Sequence, residues 1–205
     1  FNLFEILGSG DNVNGVVSRF LCELLSPDGK HDMGTFFLKP FVYDVLKLDI
    51  PEFELKRAKA FIVEYQHNGT WVPKIHIRIN RRLVVLSLEI YDYFAGIPLS
   101  RLSEEGDVYL LTLFGNIPEW LQDDFSKAKC KCTGLSFKHD VMNWVSYCMR
   151  QLDVNDGRIY QALSQFSDMI KNRLFEYTNE DGSFTCTDLI LSSLENTEAA
   201  LNIHD

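Results

Sequence analysis

Side chains that could bind a metal ion recur along one stretch of the chain, residues 63–102. Glu64 lies in a short apolar run, His76 lies in an alternating segment, and Glu89 closes a nearly continuous apolar segment. Carboxylates at the ends of adjacent strands can converge on Mg²⁺, which prefers oxygen ligands, and a nearby lysine can help to activate water. The stretch therefore has the layout of a divalent-metal site.

The segments that would position these residues show a period of two. In residues 74–80 the isoleucines point one way, whereas His76 and Arg78 point the other, as in a half-buried strand. Residues 83–90 are almost continuously apolar, which indicates a central strand buried on both faces. Strands are predicted at residues 60–65, 74–80, 83–90 and 108–114.

Apolar residues at helical spacing predict helices on both sides of the strands, with a reset at Pro40. These helices cover residues 1–7, 16–25, 35–48, 140–152 and 159–177. We expect one domain over residues 1–178 and a C-terminal tail over 179–205, for which a short helix packed on the domain is one interpretation. The three tryptophans are predicted to be buried or half-buried anchors: Trp71, Trp120 and Trp144.

The overall charge limits the classes of partner. The 205 residues carry a formal net charge of −9, so the chain repels a polyanion at long range and lacks the usual electrostatic signature of a nucleic-acid binder. Bound divalent metal would offset this charge. Basic runs at residues 56–59, 81–82 and 127–131 could form a local patch, and a solvated surface is the alternative interpretation of each run.

The cysteines and the hydropathy pattern bear on the compartment. The five cysteines are odd in number and irregularly spaced, which favours reduced thiols in a cytoplasmic protein. No window approaches 18 consecutive apolar residues, so we predict no transmembrane helix and no membrane partner.

Short motifs in a fixed order extend the pattern beyond the strands. They are NLFEILG at residues 2–8, a leucine pair with Ser-Pro-Asp-Gly and a His-containing loop within 18–34, LSFK with MNW within 135–144, and Gln-Phe at 165–166. Together they resemble the PD-(D/E)XK nuclease superfamily, in the bacterial branch with a helical N-terminal region, over residues 1–175. The resemblance implies an α/β fold with a restriction-endonuclease-like core, in which a small mixed β-sheet is flanked by α-helices.

The resemblance also assigns positions to the active site, and most of them are substituted. The two acids that match are Glu64 and Glu89. The superfamily's early Glu and His, its metal-binding Asp, the Lys of its Glu-x-Lys motif and a later Gln fall on Asn14, Val17, His76, Tyr91 and Pro98. An imidazole suits zinc, copper or nickel better than magnesium, and a tyrosine is neutral near pH 7.

Structural interpretations stand beside these roles. Glu89 is either a remnant ligand or a structural acid that caps a helix or pairs with Arg78. His76 is either a hydrogen-bonded strand histidine or, with Glu64 and Glu89, part of a remodelled transition-metal site. For His31, a hydrogen bond that orders its loop is the simpler interpretation.

We therefore expect a nuclease-like protein that has lost catalysis and acts by binding nucleic acid or a protein partner, with no cofactor. Its remnant catalytic positions are Glu64, His76, Glu89 and Tyr91. The alternative is an active nuclease that uses Mg²⁺ or Mn²⁺ and replaces the missing groups from elsewhere, for example with Lys74 or Asp92. A homo-oligomeric scaffold is a third possibility.

Overall fold

A mixed β-sheet forms the centre of the described part of the chain. The computed structural model describes residues 13–67, 70–88, 106–112, 114–117, 119, 122–123, 126, 132–153 and 156–172. Within these residues the strands are β1 (Lys59–His67), β2 (Thr70–Ile79), β3 (Arg82–Leu88), β4 (Gly106–Thr112) and β5 (Cys132–Ser136). They lie in the order β1-β2-β3-β4-β5. The first three strands are antiparallel to one another, whereas β3, β4 and β5 run parallel.

The connection between β2 and β3 fixes how these two strands align. Ile79 pairs with Arg82, so only Asn80 and Arg81 form the turn. Asn80 has a φ of +54°, in the left-handed region that asparagine tolerates better than most residues. A two-residue turn leaves little freedom for slippage, and the register of the whole hairpin follows from it.

Helices precede and follow the sheet. They are α1 (Val13–Leu25), α2 (Leu38–Pro40), α3 (Glu52–Leu55), α4 (Met142–Gln151) and α5 (Gly157–Ile170). A π-helical turn follows Pro40 at Phe41–Val45, and another, Phe137–Val141, leads into α4. The predicted reset at Pro40 is confirmed, because the Leu46 N–H donates to the Phe41 carbonyl at 2.9 Å, five residues back.

One face of the sheet packs against these helices. The isoleucines of β2, Ile75, Ile77 and Ile79, join the apolar side of α1 in a single buried cluster. The Trp144 indole Nε1 donates to the Phe37 carbonyl at 3.0 Å and so fastens α4 to the segment before α2. We call this side of the sheet the core face.

The expected fold class is confirmed, since the described residues form an α/β core with a mixed sheet flanked by helices. The four predicted strands are present, although β2 begins four residues earlier than predicted and the predicted ends at residues 89–90 and 113 lie outside the described residues; β5 was not predicted. Trp144 is buried as expected, but the prediction for Trp71 is wrong, because its side chain is 60% exposed on β2 next to the edge strand β1.

Several predicted features lie outside the described residues: the helix at 1–7, Trp120, the tail and the proposed boundary at 178. Among the helices that are described, none combines the length and the apolar character needed to cross a bilayer.

Candidate functional site

The β2 strand divides its side chains between two environments. Ile75, Ile77 and Ile79 lie in the core, whereas the intervening residues lie on the opposite side of the sheet. We call this side, which carries Lys74, His76 and Arg78, the second face. Lys74 and His76 are buried there, while Arg78 is exposed. The alternation expected from the sequence is therefore confirmed.

His76 is held by aromatic neighbours on β1. A hydrogen bond of 3.2 Å joins its Nε2 to the Tyr65 hydroxyl, and the Phe61 ring lies 5.5 Å from the imidazole centroid to centroid. Burial, together with the nearby Arg78 guanidinium, lowers the pKa of His76 below its usual value. The imidazole is thus neutral near pH 7 and already uses Nε2. This arrangement matches the interpretation of His76 as a hydrogen-bonded strand histidine.

Glu64 lies on the other side of the sheet from His76. It is next to Tyr65 in β1, so its side chain points to the core face rather than the second face. Its carboxylate is half exposed and lies 3.9 Å from the Arg19 guanidinium of α1. In this arrangement Glu64 and His76 do not share a metal ion.

The register places Lys74, rather than His76, beside the end of β3. His76 pairs with Val85, four residues before Glu89 in the sequence, whereas Lys74 pairs with Ser87. Both Lys74 and Ser87 are fully buried, and the Lys74 ammonium donates a hydrogen bond to the Ser87 hydroxyl. Burial of a charged group is costly unless partners stabilise it, so this lysine marks an unusual polar position on the second face.

Two N-terminal positions singled out by the resemblance lie in a packed helix. Val17, where the resemblance implies a histidine, is completely buried in α1. The Oδ1 atom of Asn14 and the Oγ atom of Ser18, one turn apart, are buried and have no hydrogen-bond partner within the described chain. Leaving such atoms unsatisfied costs about 1–3 kcal/mol each unless water reaches them.

The His31 loop has the structural role suggested by its sequence. The Met33 N–H donates to His31 Nδ1 at 3.0 Å, so the ring proton sits on Nε2, which donates to the Ser26 carbonyl at 3.0 Å. Gly29 is required here, because a Cβ at this position would overlap the Glu23 carbonyl and the His31 ring. The predicted loop-ordering hydrogen bond of His31 is confirmed.

A cleft of about 450 Å³ lies between this loop and α5. Charges of both signs line it, and they belong to Glu23, Lys30, Asp32, Asp156 and Arg158. None of its lining residues lies on the sheet. The cleft is therefore separate from the second face.

The donor set that the structure describes does not suit Mg²⁺ or Mn²⁺. In the described ranges no three His, Cys, Asp or Glu side chains gather in a way that could hold a metal ion. On the second face the described groups of β2 are an ammonium, a neutral imidazole and a guanidinium, whereas these metals prefer oxygen ligands. Glu89, Tyr91, Asp92 and Pro98 lie outside the described residues, and their roles stay predictions.

Two features of this region were missed from the sequence. The pairing of Lys74 with Ser87 depends on the register of the β2–β3 hairpin, although a lysine at an inward position of an alternating strand was a visible signal. The separation of Glu64 from His76 follows from the alternation of side chains in β1. Phe61 pairs with His76, so Tyr65 lies on the same face as His76 and the adjacent Glu64 lies on the opposite face.

Comparison of the chain with models of protein families, with curated proteins and with solved structures finds no match in any of the three.

Proposed function

We propose that this protein has a nuclease-like fold that has lost catalysis, and that it acts by binding nucleic acid or a protein partner. The observation that carries the proposal is the position of His76. It replaces the motif's metal-binding aspartate, its Nε2 is engaged by Tyr65, and it faces away from Glu64. Within the part of the chain that the structure describes, Glu64 and His76 do not supply the converging oxygen ligands that hydrolysis of a phosphodiester by Mg²⁺ requires.

The sheet topology supports the family resemblance behind this proposal. An antiparallel β1–β2–β3 meander is followed by β4 parallel to β3. This arrangement supplies the hairpin and the buried third strand on which a nuclease of this type would carry its motif. Loss of one oriented electrostatic group typically reduces a rate by about 10²–10³, and both the aspartate and the lysine of the motif are replaced here.

A cleavage assay tests the proposal. End-labelled single- and double-stranded DNA and RNA are incubated with the protein and either Mg²⁺ or Mn²⁺, and the products are separated on denaturing gels. We expect no metal-dependent products above background. Robust cleavage that disappears in Glu89→Ala but persists in Glu119→Ala, a change at an exposed acid, would contradict the proposal.

The alternative of an active nuclease has one supporting observation. Lys74 brings an ammonium group to the second face beside Ser87, two residues before Glu89 in the sequence. If this lysine replaced the one that Tyr91 has displaced, Lys74→Met would abolish cleavage, and a circular dichroism spectrum would show whether the variant still folds. Cleavage by the wild-type protein that survives in a folded Lys74→Met variant would exclude this role.

A further inference from the structure

The fold brings together basic residues that are separate in the sequence. Lys59, at the start of β1, pairs directly with Arg78, near the end of β2. The Asn80–Arg81 turn and the start of β3 follow at the same end of the sheet. We call this region the basic end, and its cations are Lys56, Arg57, Lys59, Arg78, Arg81 and Arg82.

The charges of the basic end are exposed and mostly unopposed. All six side chains are exposed, and among the described contacts the only ion pair joins Arg82 to Asp107 at 3.9 Å. The nearby Glu52 forms its ion pair with Lys39 at 2.7 Å and also attracts Lys56 electrostatically. Like charges directly opposite each other destabilise a sheet, so the pairing of Lys59 with Arg78 favours an anionic ligand over an empty surface.

Exposed aromatic rings accompany these cations. Phe61 is 37% exposed on the second face, with the Arg78 guanidinium 6.0 Å from its ring centroid. Phe53, in α3 just before Lys56, is 65% exposed. An aromatic ring beside cations on a sheet is the arrangement with which proteins stack an unpaired base and bind the adjoining phosphates.

We propose that the basic end binds single-stranded nucleic acid, with the phosphates on its cations and a base stacked on Phe61. The inference rests on the proposed function, because it assigns the ligand of a protein that binds without cutting. A single strand fits better than a duplex, since the bases of a duplex are already stacked on one another and do not offer a free face to Phe61. The basic end includes Arg82, the first residue of β3. Glu89, by contrast, comes directly after Leu88, the last residue of that strand, in the sequence.

Fluorescence anisotropy with a labelled oligothymidylate of about 20 nucleotides tests the proposal. The triple variant Lys59→Gln/Arg78→Gln/Arg81→Gln should weaken binding at least about tenfold at ~0.1 M salt and should reduce the slope of log K against log salt by about 2, since each lost phosphate contact contributes about 0.7. Phe61→Leu should weaken binding roughly tenfold without changing the slope.

A matched control is Arg150→Gln/Arg158→Gln/Lys171→Gln, which removes three exposed cations outside the sheet. It changes the net charge by the same amount and should keep most of the affinity. The inference is overturned if the wild-type protein does not bind the oligothymidylate at low salt, or if both triple variants weaken binding equally. It is also overturned if a duplex of equal length binds as tightly and Phe61→Leu has no effect.

The same experiments separate this inference from the proposed function. Binding to nucleic acid that is insensitive to all of these variants would remove the basic end as the site and leave the proposed function in place. Metal-dependent cleavage that needs Glu89, combined with oligothymidylate binding that needs the basic end, would instead contradict the loss of catalysis and support the basic end as a binding site.

Discussion

At the scale of single residues, the second face shows how surroundings determine what an ionisable group can do. His76 and Arg78 are two residues apart on the same strand, yet one is buried against Tyr65 and the other is exposed beside Phe61. Burial keeps the imidazole uncharged, whereas exposure leaves the guanidinium available to an anion. The same strand can therefore supply both a packed residue and a binding residue.

The lowered pKa of His76 predicts a pH dependence of stability. Because the folded protein binds this proton less readily than the unfolded chain does, the unfolded state is protonated first as the pH falls. The stability that is fully present above the unfolded pKa of about 6.5 should therefore be lost as the pH falls below it. Urea unfolding at a series of pH values should show this loss in the wild-type protein.

Substitution of His76 isolates its contribution. The glutamine side chain of His76→Gln is uncharged at every pH, so this variant should lose less stability than the wild-type protein as the pH falls below about 6.5. Asn143→Gln, a change at an exposed residue that has no titratable group, should leave the dependence unchanged. Equal profiles of stability against pH for the wild-type protein and His76→Gln would contradict the assignment of this pH dependence to His76.

Two buried cysteines should be chemically inert in the folded protein. Burial raises the pKa of the Cys22 thiol to about 11 and that of the Cys148 thiol to about 12, so almost no reactive thiolate forms at about pH 8. In the native protein both should resist iodoacetamide and react only after denaturant is added. Peptide mass spectrometry would check this, and rapid native alkylation of Cys148 would contradict the packing around α4.

At the scale of elements, β5 depends on a glycine at a crowded position. Gly134 pairs with Leu110 of β4, and a Cβ at Gly134 would overlap the carbonyl oxygen of Gly115. Backbone atoms cannot move aside as the end of a flexible side chain can. Gly134→Ala should therefore lower the free energy of unfolding by about 1–3 kcal/mol, as measured by urea denaturation.

The matched change for this prediction is Gly157→Ala at the first residue of α5. A Cβ there meets no atom within 4 Å, and alanine favours a helix over glycine by up to about 1 kcal/mol. This variant should be as stable as the wild-type protein or more stable. Similar losses in both variants would show that β5 does not pack closely against the Gly115 turn.

The elements that were predictable from the sequence have a strong local pattern. The helix that contains Val17 and the alternating strand around His76 each repeat apolar residues over many positions. The short strand β5 has no such pattern, because Gly134 and polar neighbours leave Leu135 as its main apolar residue. Its position is set by pairing with β4, which local sequence does not encode.

The candidate sites depended even more on tertiary pairing. The glutamate, the histidine and the basic runs could each be identified in the sequence, but not which of them would meet. Pairing of β1 with β2 separates Glu64 from His76 and joins Lys59 to Arg78. Both outcomes follow from register, since a shift of one residue would exchange the two faces of a strand.

At the scale of the whole molecule, charge is distributed unevenly. The chain has a formal net charge of −9, whereas all six cations of the basic end are exposed at one end of the sheet. Long-range repulsion and short-range attraction then oppose each other for a polyanion. If the protein binds nucleic acid, we therefore expect no long-range electrostatic attraction between the two, an affinity that depends steeply on salt, and contacts that are confined to the basic end.

The proposed loss of the metal centre is tested most directly by a crystal structure of the protein soaked in Mn²⁺, with an anomalous difference map to locate the ion. We predict no anomalous peak for a Mn²⁺ ion that is coordinated by the Glu89 carboxylate together with Glu64 or His76. The reason is that Glu64 and His76 lie on opposite faces of the sheet and that His76 is hydrogen-bonded to Tyr65. A well-occupied Mn²⁺ ion that is coordinated by Glu89 and either of those residues would contradict the proposal that catalysis has been lost.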